Sequence, residues 1–281
     1  MTDTLDAEEL TTALARMRAL LGRGPVVALT GAGISTDSGI PDYRGPDSPP
    51  RKPMTYQQFV GDAAFRRHYW ARNHVGWRHM HTTRPNDGHR ALAELEEAGV
   101  VSGVITQNVD TLHEAAGSRS VIDLHGRYDR VMCLACARVE PRARLAERLT
   151  ALNPGFTGGV EDVEIAPDAD AVLASTRDFT VADCADCGGI LKPDIVYFGE
   201  NVPAERVLEG YRLVDEAEAL LVAGSSLTVL SGRRFVKRAV DQGKPVAIVN
   251  RGPTRSDGAA ALTVDAGCSA MLSALAAAYR R

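Results

Sequence analysis

The feature that most constrains the fold is a short apolar run, Val-Val-Ala-Leu at residues 26–29, followed by the glycine-rich stretch GAGISTDSGIPDYRG at residues 31–45. A buried parallel strand that ends in glycines delivers backbone N–H groups to a phosphate. Thr36 stands where the dinucleotide-binding fingerprint has its third glycine, and Pro41 and Arg44 are unusual in the helix that should follow. The stretch predicts a loop folded over a ligand, with a tight strand-to-helix turn as the alternative.

Apolar residues along the rest of the chain alternate between helical and strand spacing. They predict further strands at residues 100–105, 121–124, 195–198, 217–223 and 246–249, and helices at residues 4–21, 86–99, 228–242 and 266–279. This alternation predicts an α/β fold with a doubly wound parallel sheet. Aromatic residues at helical spacing within residues 55–80 predict a small helical module inserted after the first strand.

Two C-x2-C pairs, Cys133 with Cys136 and Cys184 with Cys187, interrupt the α/β pattern. Four thiolates suit a closed tetrahedral zinc site, which would be structural because no coordination position remains for a substrate. Two unrelated pairs of buried cysteines are the alternative. A zinc ribbon that binds nucleic acid is a further option, although few lysine or aromatic residues accompany the pairs.

Composition indicates an ordinary globular protein of 281 residues with 44% hydrophobic residues. The formal net charge of −4 gives no electrostatic footprint for nucleic acid. No apolar run reaches the roughly 18 residues that a membrane span needs. The acidic N-terminal segment lacks the pattern of a secretory signal. We therefore expect a cytoplasmic monomer with no nucleic-acid or membrane partner.

Polar residues follow two of the predicted strands at their carboxyl ends, where an open α/β sheet binds ligands. The sequence TQNVD at residues 106–110 offers amides and a carboxylate, which suit hydroxyl groups and a carboxamide. His125 ends the next strand, and a neutral imidazole is a natural base for a ribose hydroxyl. Six further histidines are interpreted as structural: His68, His74, His79, His81, His89 and His113.

A family resemblance emerges from the order of these motifs. GAGISTDSGIPDYRG, TQNVD, LHG, the two C-x2-C pairs, KPDIVYFGE, GSSLTV and IVNRGPTRSD occur in the order found in sirtuins, the NAD-dependent protein-lysine deacylases. The resemblance covers residues 26–275. It implies that NAD lies between a Rossmann-like large domain and a smaller domain made of a zinc-binding module and a helical module. The corresponding boundaries are residues 1–45, 85–130 and 190–281 for the large domain, 46–84 for the helical module and 131–189 for the zinc-binding module.

The resemblance also implies which residues contact NAD. These are Gly31, Ala32, Gly33, Ser35, Asp37, Ile40, Pro41, Asp42, Tyr43, Arg44, Gln107, Asn108, Val109, Asp110, Gly224, Ser225, Ser226, Asn250, Arg251, Gly252 and Cys268. Arg44 would close over the pyrophosphate, and Asp110 would accept a hydrogen bond from the nicotinamide carboxamide. Asn250 would stand in for the missing acidic ribose partner. Asn108 and His125 are the implied catalytic residues, and the four paired cysteines would hold one structural Zn²⁺.

The reaction implied by the resemblance consumes NAD and an acylated lysine side chain of a protein. It would release nicotinamide and 2′-O-acyl-ADP-ribose, with His125 taking a proton from a ribose hydroxyl. The substrate peptide would pair with Val196, Tyr197, Phe198, Gly199 and Glu200, a form of β-augmentation. The alternatives are mono-ADP-ribosylation of proteins, delipoylation as the main activity, and an NAD-binding scaffold without turnover.

Details of the sequence resemble the class II branch of sirtuins. They are Tyr43, the segment YWARN at residues 69–73 and the segment GPTRSD at residues 252–257. That branch is linked to weak deacetylation and to removal of longer or acidic acyl groups. Tyr69 and Arg72 resemble a Tyr-x-x-Arg pair that holds an acyl carboxylate, and a guanidinium would bind such a group strongly. Alternatively, Tyr69 packs within the helical module and Arg72 faces solvent or an aspartate.

Overall fold

The computed structural model describes residues 6–22, 24–43, 53–156 and 176–280. Within these ranges the strands are β1 (Val26–Thr30), β2 (Val101–Thr106), β3 (Val121–Asp123), β4 (Gly126–Cys133), β5 (Val139–Pro141), β6 (Leu191–Ile195), β7 (Ala219–Ala223), β8 (Val246–Asn250) and β9 (Leu262–Asp265). The α-helices are α1 (Ala7–Leu21), α2 (Tyr56–Gly61), α3 (Ala63–Met80), α4 (Asp87–Glu97), α5 (Leu112–Ala115), α6 (Arg142–Leu152), α7 (Ala204–Glu216), α8 (Leu230–Asp241) and α9 (Cys268–Ala277).

Six strands form a parallel sheet in the order β3-β2-β1-β7-β8-β9. Every residue of β1, β7 and β8 is buried, as expected when helices cover both faces of a sheet. One buried cluster lies under α1, α4 and α9, and a second lies under α7 and α8. The predicted doubly wound sheet is confirmed. The strand order reverses between β1 and β7, which is where such sheets bind ligands.

The termini of α4 follow the capping signals of the sequence. The side chain of Asn86 accepts hydrogen bonds from the backbone N–H groups of Gly88 and His89. Gly99 follows the helix with φ +73, a left-handed conformation that glycine adopts without steric cost. These two residues fix where α4 begins and where the chain turns into β2.

A second, antiparallel sheet of three strands, in the order β5-β4-β6, belongs to the smaller part of the molecule. Its core combines side chains of this sheet with those of α2, α3 and α6. The predicted strand at residues 195–198 is wrong in position, because the strand is β6 and ends at Ile195. Pro193 is tolerated within β6 because β6 is an edge strand and needs no N–H on its outer side.

β4 and β6 lie beside the predicted domain boundaries, and they pair with each other along the small sheet. The chain therefore leaves the large sheet after β3 and returns to it through β6. Residues 196–200, which follow β6, run between the two parts of the molecule. The exact division into domains stays a prediction.

Candidate active site

A cavity of about 710 Å³ lies where the carboxyl ends of β1, β2 and β7 face the smaller part of the molecule. This volume is in the range of about 300–1,000 Å³ that is common for ligand sites. Most predicted NAD contacts line it: Gly31, Ala32, Gly33, Ser35, Ile40, Asp42, Tyr43, Gln107, Asn108, Val109, Asp110, Gly224, Ser225, Ser226, Asn250, Arg251 and Gly252. All five residues of the predicted peptide-binding segment line it as well.

Some predicted residues lie away from the cavity wall. Asp37, Pro41 and Cys268 are not among its lining residues, and Arg44 lies outside the described residues. The Cys268 thiol is buried beside the backbone carbonyl of Val249, 3.8 Å away, and burial raises its pKa to about 12. A thiol with such a pKa stays protonated and is a poor nucleophile at neutral pH.

The loop after β1 does not begin an α-helix but forms two short 3₁₀ turns, Ala32–Ile34 and Thr36–Ser38. Gly33 packs directly on the loop after β7, where its N–H donates to the carbonyl of Gly224 at 2.8 Å. A Cβ on Gly33 would lie 2.9 Å from the Gly224 Cα, so no larger residue fits here without a shift. The two loops thus form a closely packed glycine cradle along the cavity wall, where the absence of side chains lets a dinucleotide approach the backbone.

A buried polar network supports the floor of the cavity. Ser35 Oγ donates to Asp110 Oδ2 at 2.7 Å, and Asn108 Nδ2 donates both to Ser35 Oγ and to the carbonyl of Gly31 at 3.1 Å. Burial raises the pKa of the Asp110 carboxyl, and the hydrogen bonds from Ser35 and Leu112 partly oppose that shift. The network therefore orients one carboxyl group at the end of the cavity formed by residues 107–110.

His125 lies between β3 and β4, at the carboxyl end of β3, and lines the same cavity. Its Nδ1 lies 2.8 Å from the backbone carbonyl of Gln107, and its Nε2 lies 2.8 Å from Ser231 Oγ. Because a carbonyl only accepts, Nδ1 carries the proton and Nε2 is the acceptor. Burial lowers the pKa of His125 to about 4, aided by the positive charges of Arg206 and Arg234. The imidazole is neutral at physiological pH, as a base requires.

An ion pair holds the predicted peptide-binding segment, residues 196–200, at its end. Lys192 is buried, and its Nζ lies 3.1 Å from Glu200 Oε2, which also accepts from the Tyr197 N–H at 2.9 Å. Burial lowers the pKa of Lys192, and the Glu200 carboxylate opposes that shift. The Val196 N–H donates to the carbonyl of His125 at 2.7 Å. The segment is thus tied to the imidazole through the backbone.

Tyr69 and Arg72 are not brought to the cavity wall. Tyr69 is 1% exposed and packs edge-on against Phe59 and Tyr197. Arg72 Nη1 lies 3.1 Å from His68 Nε2 on the same helix. Tyr197 lines the cavity, and Tyr69 packs against Tyr197 without lining the cavity itself. Tyr69 therefore lies behind the cavity wall.

The four paired cysteines converge on one point, with all four Sγ atoms within 4.8 Å of one another. The Sγ atoms of Cys133 and Cys187 are 3.5 Å apart, and those of Cys136 and Cys184 are 3.8 Å apart. A tetrahedral zinc with bonds of about 2.3 Å requires separations of about 3.8 Å. Each pair lies in a tight turn. The Cys133 N–H donates to the backbone carbonyl of Arg138, and the Cys184 N–H donates to the backbone carbonyl of Gly189. The cluster is positioned to bind zinc, and none of its residues lines the cavity.

Sequence reasoning missed one wall of the cavity. The additional lining residues are Met54, Ile195, Asn201, Val202, Leu227, Thr228, Val229, Leu230, Ser231, Arg234 and Pro253. Most of them belong to the loop after β7 and the first turn of α8. One signal could have indicated these residues. The loop after β7 lies where the strand order reverses between β1 and β7, and loops at that edge of the sheet border the ligand site.

Comparison with known proteins identifies the family. Residues 31–231 match the sequence model of the Sir2 family. The chain belongs to the Sir2 family. This sirtuin is 64% identical over 261 residues to NAD-dependent protein deacetylase 1 of Mycobacterium avium (strain 104), covering 92% of this chain and 93% of that protein. It is 53% identical over 249 residues to NAD-dependent protein deacetylase 1 of Streptomyces coelicolor, covering 88% of this chain and 83% of that protein.

Solved structures agree with this assignment. A Sir2–p53 peptide–NAD+ structure superposes with a TM-score of 0.69 at 32% identity, covering 92% of this chain and 95% of that one. A structure described as the structural basis for the mechanism and regulation of Sir2 enzymes gives a TM-score of 0.74 at 29% identity, over 95% and 98% of the two chains. Separately, none of the described helices is long and apolar enough to cross a membrane.

Proposed function

We propose that this sirtuin is an NAD-dependent protein-lysine deacetylase. The observation that carries the proposal is the neutral imidazole of His125, which faces the same cavity as the glycine cradle and residues 196–200. A base, a phosphate cradle and an edge for an extended peptide are the three parts that the reaction needs. The relatives from Mycobacterium avium and Streptomyces coelicolor, named as deacetylases, support this assignment.

Each part of the cavity has a distinct task. NAD, when bound, supplies a ribose carbon that is activated by loss of nicotinamide. The loop that contains Gly31 and Gly33 would border the pyrophosphate, while the carboxyl of Asp110 would orient a carboxamide. Residues 196–200 would pair with the peptide and direct its acyl-lysine toward His125. The unprotonated Nε2 atom of His125 would take up the proton of a ribose hydroxyl that replaces Ser231 there.

The four cysteines would hold zinc for a structural purpose. Four thiolates fill a tetrahedral coordination sphere, so no position remains for a water or a substrate. The cluster also lies outside the cavity lining. We therefore assign zinc to the folding of the smaller part of the molecule. Reduced metal-bound thiolates agree with a cytoplasmic location, where we expect the protein to act as a monomer.

We further place the protein in the class II branch, from the sequence features of residues 43, 69–73 and 252–257. Tyr43 packs edge-on against Phe198 of the peptide-binding segment, with ring centroids 6.4 Å apart. Tyr69 supports Tyr197 from behind the cavity wall. We propose that Tyr69 and Arg72 influence which acyl group is accepted, although neither residue lines the cavity.

A peptide assay tests the main proposal. Acetyl-, succinyl- and lipoyl-lysine peptides are incubated with NAD, and the masses of the peptide and nucleotide products are both measured. A deacetylase yields deacetylated peptide and O-acetyl-ADP-ribose in equal amounts. ADP-ribose attached to protein would instead support the mono-ADP-ribosyltransferase alternative, and a dominant lipoyl product would support delipoylation. Intact NAD would contradict the proposal.

The role of Arg72 is tested by Arg72→Met. If Arg72 favours an acidic acyl chain through its positive charge behind the cavity wall, the ratio of desuccinylation to deacetylation falls in the variant. Arg78→Met is the control, because Arg78 is an exposed arginine on the same helix. An unchanged ratio in Arg72→Met would remove the residue from any role in specificity.

A further inference from the structure

The imidazole of His125 is held at both of its nitrogens. The carbonyl of Gln107 accepts from Nδ1, and the hydroxyl of Ser231 donates to Nε2, each at 2.8 Å. The direction of the second bond follows from the first, since Nε2 has no proton to give once Nδ1 carries it. Ser231 is thus the group that meets the basic lone pair. No motif in the sequence indicated this residue.

Ser231 is placed by the first turn of α8 and is 8% exposed. α8 approaches closely because Gly232 packs against the side chain of Gln107. A Cβ on Gly232 would lie 2.4 Å from Gln107 Oε1. Gln107 itself donates through Nε2 to Ser225 Oγ at 2.9 Å. Gln107 therefore contacts the imidazole through its backbone carbonyl and contacts Gly232 of α8 through its side chain. With the contact from Ser231 to the imidazole, these residues form a closed ring of contacts around His125.

The charges around this ring favour the neutral imidazole. Arg206 comes from α7 and Arg234 from α8, and both lower the pKa of His125 in addition to burial. Arg206 is paired with Asp194 at 3.4 Å. The Ser231 hydroxyl donates to Nε2 of this neutral imidazole. Ser231 Oγ also borders the cavity, so a substrate hydroxyl can replace it at Nε2.

We infer that Ser231 is a positioning residue for His125. The Gln107 carbonyl fixes the proton on Nδ1, and the Ser231 hydroxyl donates to Nε2 and keeps its lone pair directed at the cavity until a substrate hydroxyl takes its place. The inference rests on the proposed function, because it assigns the imidazole as the base of that reaction. It differs from a packing role, which would need the volume of the serine but not its hydroxyl.

The first test measures the tautomer without any turnover. Nitrogen NMR on isotope-labelled protein at neutral pH reports which ring nitrogen of His125 is protonated, with the His125→Ala spectrum identifying the signals. We expect a protonated Nδ1 and an unprotonated Nε2 in the wild type and in Ser231→Ala, with a changed Nε2 signal in the variant because its hydrogen bond from the hydroxyl is lost. A protonated Nε2 in the wild type would overturn the inference whether or not the protein is a deacetylase.

The second test separates positioning from packing through kinetics. Ser231→Ala is expected to lower kcat by about tenfold, the usual range for one hydrogen bond, while KM for NAD and for the peptide changes by less than about twofold. The acid limb of the pH–kcat profile should also shift, because the variant removes a hydrogen-bond partner of Nε2. Ser231→Thr, which keeps the hydroxyl, should restore most of the activity.

The control is Ser102→Ala. Ser102 Oγ also makes a single hydrogen bond, to the carbonyl of Val26 at 3.2 Å, but at the opposite end of the sheet. Its kcat and pH profile should match those of the wild type. Equal kcat and equal pH profiles in Ser231→Ala and Ser102→Ala would overturn the inference. If the wild type itself lacks deacetylase activity, the proposed function fails, and the NMR result still decides how Ser231 orients the imidazole.

Discussion

The cysteine cluster and the His125 site both form where two segments meet, but they place their reactive atoms in opposite surroundings. The four Sγ atoms face one another, and none of the four cysteines lines the cavity. The Nε2 of His125 faces the cavity, and its neighbours hold it neutral. A closed set of ligands stabilises a fold, whereas a base must keep one acceptor available. The comparison predicts that changes in the cluster affect stability and changes near His125 affect turnover.

The largest expected effect is on the cluster side. Cys184→Ser removes one thiolate from a site that contributes on the order of 10 kcal/mol to folding, which is comparable with the total stability of a domain. We expect loss of bound zinc and of the cooperative thermal transition, measured by metal analysis and circular dichroism.

Cys268→Ser is the matched control for zinc binding, since Cys268 lies outside the cluster. It should retain one equivalent of zinc and a cooperative transition. Cys184→Ser that folds normally and turns over at the wild-type rate would contradict the structural assignment of the metal.

A smaller effect is expected at the glycine cradle. The methyl group of Gly33→Ala would meet the Gly224 backbone at 2.9 Å, and such overpacking costs about 1–3 kcal/mol. The cradle should then bind NAD less tightly, with KM for NAD raised about 5- to 100-fold. Gly61→Ala is the control, because a Cβ there meets nothing within 4 Å. An unchanged KM for NAD in Gly33→Ala would contradict the proposal that the glycine cradle binds the dinucleotide.

A further effect concerns the dependence of stability on pH. Burial lowers the pKa of His74, His89 and His125 to about 4, and it holds the pKa of His113 well below its usual value. The unfolded chain binds more protons on these groups, so the free energy of unfolding falls as pH drops from about 6.5 to about 4, by at most about 3 kcal/mol per histidine.

Two carboxyl groups oppose this trend. Asp123, with its pKa raised to about 6, and Asp110, with its pKa also raised, bind protons more readily in the folded state. Urea midpoints at several pH values measure the net slope. His89→Gln should reduce the slope, while His79→Gln should not, because His79 is exposed. An equal slope in His89→Gln and the wild type would contradict the burial of His89 as a neutral group.

Sequence patterns predicted the parts of the fold that local signals specify. Val26 to Leu29 is apolar on both faces, as a central parallel strand requires, and the capping residue Asn86 marks the start of α4. β9 was not predicted, because four residues are too short a run for their alternation to stand out as a strand. The position of β6 was wrong because Pro193 was read as the end of the preceding loop.

The lining of the candidate active site was predicted as far as residue type and strand end allow. The position of His125 at the end of β3 follows from the strand pattern alone. Its tautomer and its contact with Ser231 do not, because they depend on how closely α8 approaches Gln107. The placement of Tyr69 behind Tyr197 could not be predicted either, since which face of α3 meets the cavity depends on packing with the small sheet.

The contrast between the two sites is tested most directly by measuring kcat and the thermal midpoint of His125→Ala in the same preparation. Our account predicts that kcat for deacetylation falls by roughly 10²–10⁴, the usual worth of a positioned base. It also predicts that bound zinc and the thermal transition stay as in the wild type. Near-normal turnover, or a loss of zinc and folding together with activity, would contradict the division between a site for chemistry and a site for stability.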